Sequence, residues 1–123
     1  MKTKEEIVKN WLPRYTKRKL EDFTEYILLT NFDKYVELFA KRFEVPVVGK
    51  DANMTSASSQ GITIINFGMG SPNAAIIMDL LGAIKPKACL FLGKCGGIDK
   101  KNKLGDFILP LAALRGDGTS NDQ

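Results

Sequence analysis

Short apolar runs alternate with stretches of helical periodicity along this chain, and that alternation constrains its fold more than any other feature. Residues 26–29, 62–67 and 88–92 form mainly apolar runs, which are typical of strands buried on both faces. Between these runs, apolar residues recur at helical spacing over residues 36–43 and 73–84. Because strands that alternate with helices usually pair in parallel, the pattern predicts an α/β fold with a mostly parallel or mixed central sheet.

The N-terminal segment carries a helix signal of its own. Thr3 is followed three residues later by Glu6, which is a capping-box pattern, and Pro13 is expected to end the helix that starts there. We therefore expect a helical extension over about residues 1–22, attached to a single domain that spans residues 1–123.

Two further parts of the chain are predicted to be a loop and a pair of strands, respectively. Residues 51–60 are small and polar, and the sequence predicts a loop there. Residues 106–109 and 111–114 are apolar, and they predict additional strands near the C-terminus.

Composition excludes several kinds of chemistry. The chain has 123 residues, with 18 Lys plus Arg, 14 Asp plus Glu and no histidine. Without histidine there is no imidazole acid–base catalysis, and two cysteines alone cannot close a structural zinc site. We therefore expect neither a metal nor a cofactor. The basic runs at residues 17–19 and 100–103 lie on solvated faces or attract an anionic substrate.

The two cysteines indicate where the chain works. Cys89 lies in an apolar run and Cys95 in a glycine-rich turn, which favours free thiols in a reducing cytoplasm. No apolar run reaches the length of a membrane span, and the first residues lack the apolar core of a signal peptide. We expect a cytoplasmic protein that has neither a membrane nor a nucleic-acid partner.

A glycine-rich turn follows the second predicted strand, where open α/β sheets bind their ligands. Gly68 and Gly70 flank Met69, and Ser71 is expected to cap the helix that follows. The glycines would let backbone N–H groups approach a ligand closely, near the positive end of that helix. The alternative is a tight turn that binds nothing. Asn73 stands where the dinucleotide fingerprint requires a third glycine, so that motif is excluded.

A second glycine-rich turn follows the third predicted strand. Gly93, Lys94 and Gly96 could hold a phosphate or a sugar hydroxyl, because the lysine is a compact positive charge. Alternatively, the glycines permit a bulge and the lysine extends into solvent. Cys95 lies in this turn without a histidine to activate it, which argues against a nucleophilic role.

A third polar segment begins at Arg115. Its guanidinium group could meet a phosphate or a base carbonyl, or it could pair with Asp117 within a turn. The residues alone leave both possibilities open.

Taken together, these motifs resemble the nucleoside phosphorylase superfamily. The resemblance rests on residues 66–75, 91–97 and 104–109, and residues 115–120 are similar to an Arg-x-Asp-Gly-Ala-Ser run of uridine phosphorylases. The Gly-Lys-Cys-Gly-Gly turn and residues 11–15 are most similar to members that hydrolyse AMP to adenine and ribose 5-phosphate. The resemblance covers the whole chain but only the first half of a family member.

The resemblance implies a three-layer fold, here truncated, and an N-glycosidase of purine nucleotide metabolism. The implied partners are a small-molecule substrate, AMP or a related purine nucleotide, and further copies of the chain. The leaving-group acid of the family would lie beyond residue 123, so no catalytic residue is assigned within the chain. The alternatives are a purine nucleoside phosphorylase and a non-catalytic nucleotide-binding module.

The resemblance also implies a substrate pocket, in which Met69 packs against the ribose. In phosphorylases, a Gly-Asp turn and arginines hold the phosphate. This chain has Asn31, Phe32 and Asp33 in place of the Gly-Asp turn, and Phe91 in place of one of the arginines. That departure favours water as the nucleophile, and the positive charge of Lys94 could meet the 5′-phosphate of the substrate. The implied substrate-binding residues are Gly68, Met69, Gly70, Gly93, Lys94, Cys95, Gly96 and Arg115.

Overall fold

The computed structural model of the chain describes residues 1–119 and 121, and it divides the chain into two compact units, residues 1–93 and residues 94–123. Every helix and strand of the described residues lies in the first unit. The helices are α1 (Lys4–Thr16), α2 (Asp33–Phe43) and α3 (Ser71–Leu80), with short 3₁₀ turns at Leu20–Asp22 and Leu81–Ala83. The strands are β1 (Tyr26–Thr30), β2 (Thr55–Ser59), β3 (Ile62–Asn66) and β4 (Ala88–Leu92).

The four strands form one mixed sheet in the order β2-β3-β1-β4. Strand β1 pairs in parallel with both β3 and β4, whereas β2 runs antiparallel to β3. The expected α/β fold with a mostly parallel or mixed sheet is therefore confirmed, as are the three strands predicted from apolar runs. Strand β4 differs in one respect, because four of its five residues are exposed where we expected burial on both faces.

Helices cover both faces of the sheet, which gives three layers. On one face, Leu12 of α1 and Ile77 of α3 pack with Ile65 of β3 in the larger core cluster. On the other face, Val36 of α2 packs with Ile64 of β3. The two neighbouring isoleucines point to opposite faces because side chains alternate along a strand, and both are almost fully buried.

The prediction of a loop over residues 51–60 is wrong, because β2 lies within it. Gln60 and Gly61 both have positive φ angles, 52° and 79°, and they form the two-residue turn of a β2–β3 hairpin. The strand buries Ser56 and Ala57 completely. Its small residues give no apolar signal, and the hairpin turn is the feature of the sequence that could have revealed it.

The capping box at the start of α1 is confirmed, but the expectation that Pro13 ends this helix is wrong. The helix continues to Thr16, whose hydroxyl donates to the carbonyl of Leu12 at 2.8 Å. Lys17 then closes the helix in a left-handed conformation, and its N–H donates to the carbonyl of Pro13. Proline removes one backbone hydrogen bond, and we attribute its tolerance to the complete burial of Leu12 and Thr16 in the last turn.

The basic run at residues 17–19 is not a uniformly solvated face. Lys17 and Lys19 are exposed, whereas Arg18 is buried and donates from Nε to the hydroxyl of Ser56 at 2.9 Å. Burial lowers the pKa of Arg18 from its usual value, and the nearby carboxylate of Asp22 partly opposes this effect. Arg18 therefore joins the end of α1 to β2.

The described residues of the second unit, 94–119 and 121, contain turns but no helix or strand. The strands predicted at residues 106–109 and 111–114 are therefore wrong. Their apolar side chains are exposed, with Leu111 and Leu114 fully accessible. A strand needs a neighbouring strand for its backbone hydrogen bonds, and no pairing is present for these residues. Among the described residues, no helix is long and apolar enough to cross a membrane.

Candidate functional site

The carboxyl ends of three strands lie side by side at one edge of the sheet. The parallel register places Thr30 at the end of β1 opposite Asn66 of β3 and Leu92 of β4. The residues that follow these positions are therefore brought together, as expected for ligand binding in an open sheet.

A cleft of about 430 Å³ lies at this edge, within the first unit. Its apolar wall includes Phe67 and Phe91, whose ring centroids are 5.8 Å apart, together with Met78 of α3. Asn31 and Ser71 are the polar residues of the lining. None of the described residues that line the cleft carries a formal charge. The volume is within the range typical of small-molecule sites.

The Gly-Met-Gly turn contributes to the edge of this cleft. Gly68 and Gly70 have φ angles of +88° and +89°, which side chains rarely adopt, and a Cβ on Gly68 would lie 2.9 Å from the Asn73 amide nitrogen. Gly70 is the N-cap of α3, and it lines the cleft. The expectation that Ser71 caps the helix is wrong, because Ser71 is already helical. Met69 is exposed.

A chain of hydrogen bonds fixes the start of this turn, and sequence reasoning missed it. The carboxylate of Asp33, at the start of α2, accepts from the amide of Asn66 at 2.7 Å and from the hydroxyl of Thr55 at 3.0 Å. Asn66 in turn accepts the backbone N–H of Gly68 at 3.0 Å. The start of β2, the end of β3 and the start of α2 are thus linked to the glycine turn. In the sequence, the one signal for this network is that polar residues stand at the ends of the predicted strands.

The remaining predicted residues fall on both sides of the division between units. Gly93 follows β4 in the first unit, and a Cβ there would lie 2.9 Å from the ring of Phe91. The structure places Lys94, Cys95, Gly96 and Arg115 in the second unit, where all four are exposed.

The polar segment after Arg115 contains a turn. Asp117 accepts the backbone N–H of Thr119 at 3.2 Å, a hydrogen bond typical of turns. Ser120, the last residue of this predicted motif, lies outside the described residues.

The two cysteines and the acidic side chains are the residues that could act as nucleophiles or metal ligands. Cys89 and Cys95 are both free, and partial burial raises the pKa of the Cys89 thiol above its usual value. In the part of the chain that the structure describes, no group of three or more cysteine or acidic side chains is arranged to hold a metal ion.

The family model of the phosphorylase superfamily matches residues 25–123. The chain belongs to the phosphorylase superfamily. The match includes the cleft, the Gly-Met-Gly turn and the whole second unit, and it begins after α1. The resemblance inferred from the motifs is thereby confirmed.

Individual members of the superfamily are similar to different extents. A crystal structure of AMP nucleosidase from Bacteroides thetaiotaomicron VPI-5482 is 64% identical, with a TM-score of 0.91, and the match covers 98% of this chain and 51% of that one. AMP nucleosidase from Escherichia coli K12 is 27% identical over 86% of this chain and 30% of its own length. Guanosine phosphorylase from Halorubrum lacusprofundi is 29% identical over 63% of this chain and 33% of its own. This chain therefore spans about a third to a half of these relatives.

Proposed function

We propose that this chain forms the substrate-binding first half of an AMP nucleosidase, which hydrolyses AMP to adenine and ribose 5-phosphate. The observation that carries this proposal is the 64% identity, over 98% of the chain, to the AMP nucleosidase of Bacteroides thetaiotaomicron. The reaction breaks the bond between the anomeric carbon and the purine nitrogen. Water supplies the oxygen that the anomeric carbon gains, and the departing purine takes a proton.

The composition of the cleft supports water as the nucleophile. A phosphorylase must hold an anionic nucleophile, which usually requires lysine or arginine side chains. Phe67, Phe91 and the other described residues lining this cleft carry no formal charge. The part of the pocket that lies in the first unit therefore offers no cationic group to hold a phosphate nucleophile, which favours hydrolysis over phosphorolysis.

Within this function we assign each glycine turn a task. Gly68 and Gly70 allow the backbone to approach the ribose, and Met69 packs against it. The remaining residues that we propose for the pocket are Gly93, Lys94, Cys95, Gly96 and Arg115. We propose that the acid that protonates the purine belongs to the part of the relatives' chains that this sequence does not span.

We propose, further, that residues 1–123 form part of one superfamily domain with a helical extension over residues 1–22, since the family model begins at residue 25. The protein acts in the cytoplasm, in purine nucleotide metabolism, and self-associates. Its two free thiols support the compartment. Its exposed apolar side chains, such as Leu111 and Leu114, support self-association.

The function is tested by calorimetry with AMP and by an assay for released adenine, on this chain and on a full-length protein, meaning one that also has the part of the relatives' chains that this sequence does not span. We expect this chain to bind AMP without releasing adenine, and the full-length protein to release adenine at a rate that phosphate does not change. Similarity to guanosine phosphorylase makes phosphorolysis the second candidate, and acceleration by phosphate would establish it instead. Turnover by this chain alone would refute the assignment of the acid to another segment.

Lys94→Ala tests the contact that we propose for the 5′-phosphate. We expect the affinity for AMP to fall about tenfold or more, because a charge-assisted hydrogen bond to phosphate is lost. The affinity for adenosine, which has no phosphate, should stay within about twofold. Calorimetric titration of both ligands makes the comparison, and Lys100→Ala is the matched control on another exposed lysine. Equal losses for the two ligands would contradict the assignment.

A further inference from the structure

Asn31 differs from the other asparagine at this edge of the sheet. Asn66, which ends β3, uses both ends of its amide group, with Asp33 as one partner and the N–H of Gly68 as the other. Asn31 directly follows β1 and lines the cleft, but its Oδ1 atom is buried and has no hydrogen-bond partner among the described residues. One amide is thus committed to the scaffold, and the other has a buried oxygen available.

A buried acceptor of this kind is costly to maintain. An unpaired buried polar atom destabilises the folded state, and nearly all such atoms in folded proteins have hydrogen-bond partners. Asn31 lies at a strand end beside the apolar rings of Phe67 and Phe91, where a hydrogen bond is stronger than in water. We propose that the Asn31 carboxamide is a ligand-binding group: its side chain turns toward the cleft on binding, and Oδ1 then accepts a hydrogen bond from an O–H group of the reactants.

The absence of charge in the described lining of the cleft limits which kind of donor can bind Asn31. Its described lining is uncharged, so an O–H donor fits it better than an ammonium group or a phosphate does. The identity of the donor rests on the proposed function, which supplies two sources: a ribose hydroxyl and the attacking water. An amide oxygen is far too weak a base to take the proton. Asn31 therefore orients the O–H group, and the proton is transferred elsewhere.

Two substitutions distinguish the role of the Asn31 amide oxygen from that of its nitrogen. Asn31→Asp keeps an acceptor of the same shape and loses the N–H donors, whereas Asn31→Leu loses both. If Oδ1 binds a ribose hydroxyl, Asn31→Leu should weaken the binding of adenosine about tenfold, while Asn31→Asp should stay within about threefold of wild type. Asn53→Leu, in an exposed loop, is the control for an asparagine outside the cleft.

The two sources of the O–H group give different results. For a ribose hydroxyl, the loss in Asn31→Leu should disappear with 2′-deoxyadenosine or 3′-deoxyadenosine, whichever lacks the contacted group. For the attacking water, adenosine binding should be unchanged, and adenine release by the full-length protein should fall about tenfold in kcat at constant KM. A variant Asn31→Asp as damaged as Asn31→Leu in both measurements would overturn the proposal, since the N–H donors would then be the groups that matter.

The test also distinguishes this inference from the proposed function. Wild-type protein that binds AMP and releases adenine, with Asn31→Leu unchanged in both affinity and rate, would overturn the inference and leave the function intact. Wild-type full-length protein that binds neither AMP nor adenosine would overturn both. A phosphate-dependent rate would replace the proposed function, and the contrast between Asn31→Leu and Asn31→Asp in adenosine binding would still decide the role of the amide.

Discussion

Replacing Gly49 with alanine is expected to lower the free energy of unfolding by about 3–4 kcal/mol, from overpacking and backbone strain together. A Cβ at this position would lie 2.5 Å from the carbonyl oxygen of Thr16 and 2.6 Å from that of Met54. Both obstacles are backbone atoms, so neither can move without displacing the end of α1 or the segment before β2. The φ angle of +83° adds strain for any residue with a side chain.

Gly61→Ala is the matched control for this prediction. Gly61 has nearly the same φ angle, +79°, but no atom lies within 4 Å of the position that its Cβ would occupy. We therefore expect a loss of only about 1 kcal/mol from backbone strain. Urea unfolding of the two variants measures the difference, with the midpoint shifting and the slope unchanged. Equal losses in the two variants would show that backbone strain, and not contact with the carbonyl oxygens, limits substitution at Gly49.

The close approach at Gly49 also illustrates what the sequence could not predict. Strands β1, β3 and β4 are marked by apolar runs, and helix α2 by apolar residues at helical spacing, so these local patterns alone reveal them. Strand β2 is built from serine, threonine and alanine, and it becomes visible only when its pairing with β3 is known. The close approach of Gly49 to the carbonyl group of Thr16, which is distant in the sequence, depends on the finished packing, which no local pattern encodes.

The strand predictions for residues 106–109 and 111–114 were wrong for a related reason. Residues 106–114 are apolar enough to predict strands, but a strand forms only when a partner is available. None of the described residues pairs with them. Apolar composition indicates that a segment tends to be buried, but it does not identify the surface that buries it.

The candidate site was predictable in part. The Gly-Met-Gly turn could be placed at a strand end, because glycine and apolar runs are local signals. The partnership of Asp33 with Asn66 and the unpaired oxygen of Asn31 could not be predicted. Both depend on the strand order, which brings the ends of β1 and β3 together.

Asn66→Asp tests the link between Asp33 and the Gly-Met-Gly turn. The substitution replaces an N–H donor, 2.7 Å from a carboxylate oxygen, with a second carboxylate. We expect the free energy of unfolding at pH 7 to fall by about 2 kcal/mol, because a hydrogen bond to a charged group is lost and two like charges meet. The affinity for AMP should also fall, because repulsion from Asp33 displaces the carboxylate at position 66 that accepts the N–H of Gly68.

The loss in Asn66→Asp should depend on pH in a defined direction. Two adjacent carboxylates hold a proton more tightly in the folded protein than in the unfolded chain, so the folded state binds more protons as the pH falls. Relative to wild type, the variant should therefore regain stability as the pH is lowered from 7 to about 5. Thermal unfolding across this range measures the effect. A loss that is independent of pH would contradict the electrostatic explanation.

The reciprocal exchange Asp33→Asn with Asn66→Asp separates charge from geometry. In this double variant the asparagine at position 33 can donate to the aspartate at position 66, which still accepts the N–H of Gly68, and Thr55 can still donate to the amide oxygen. We expect at least half of the lost stability to return, together with the affinity for AMP. The single variant Thr55→Val, which removes the other hydrogen bond to Asp33, should cost about 1 kcal/mol and leave the turn in place. A double variant no more stable than Asn66→Asp would mean that the position of the negative charge matters in itself, with Asp33 at the start of α2 favouring the helix through its dipole.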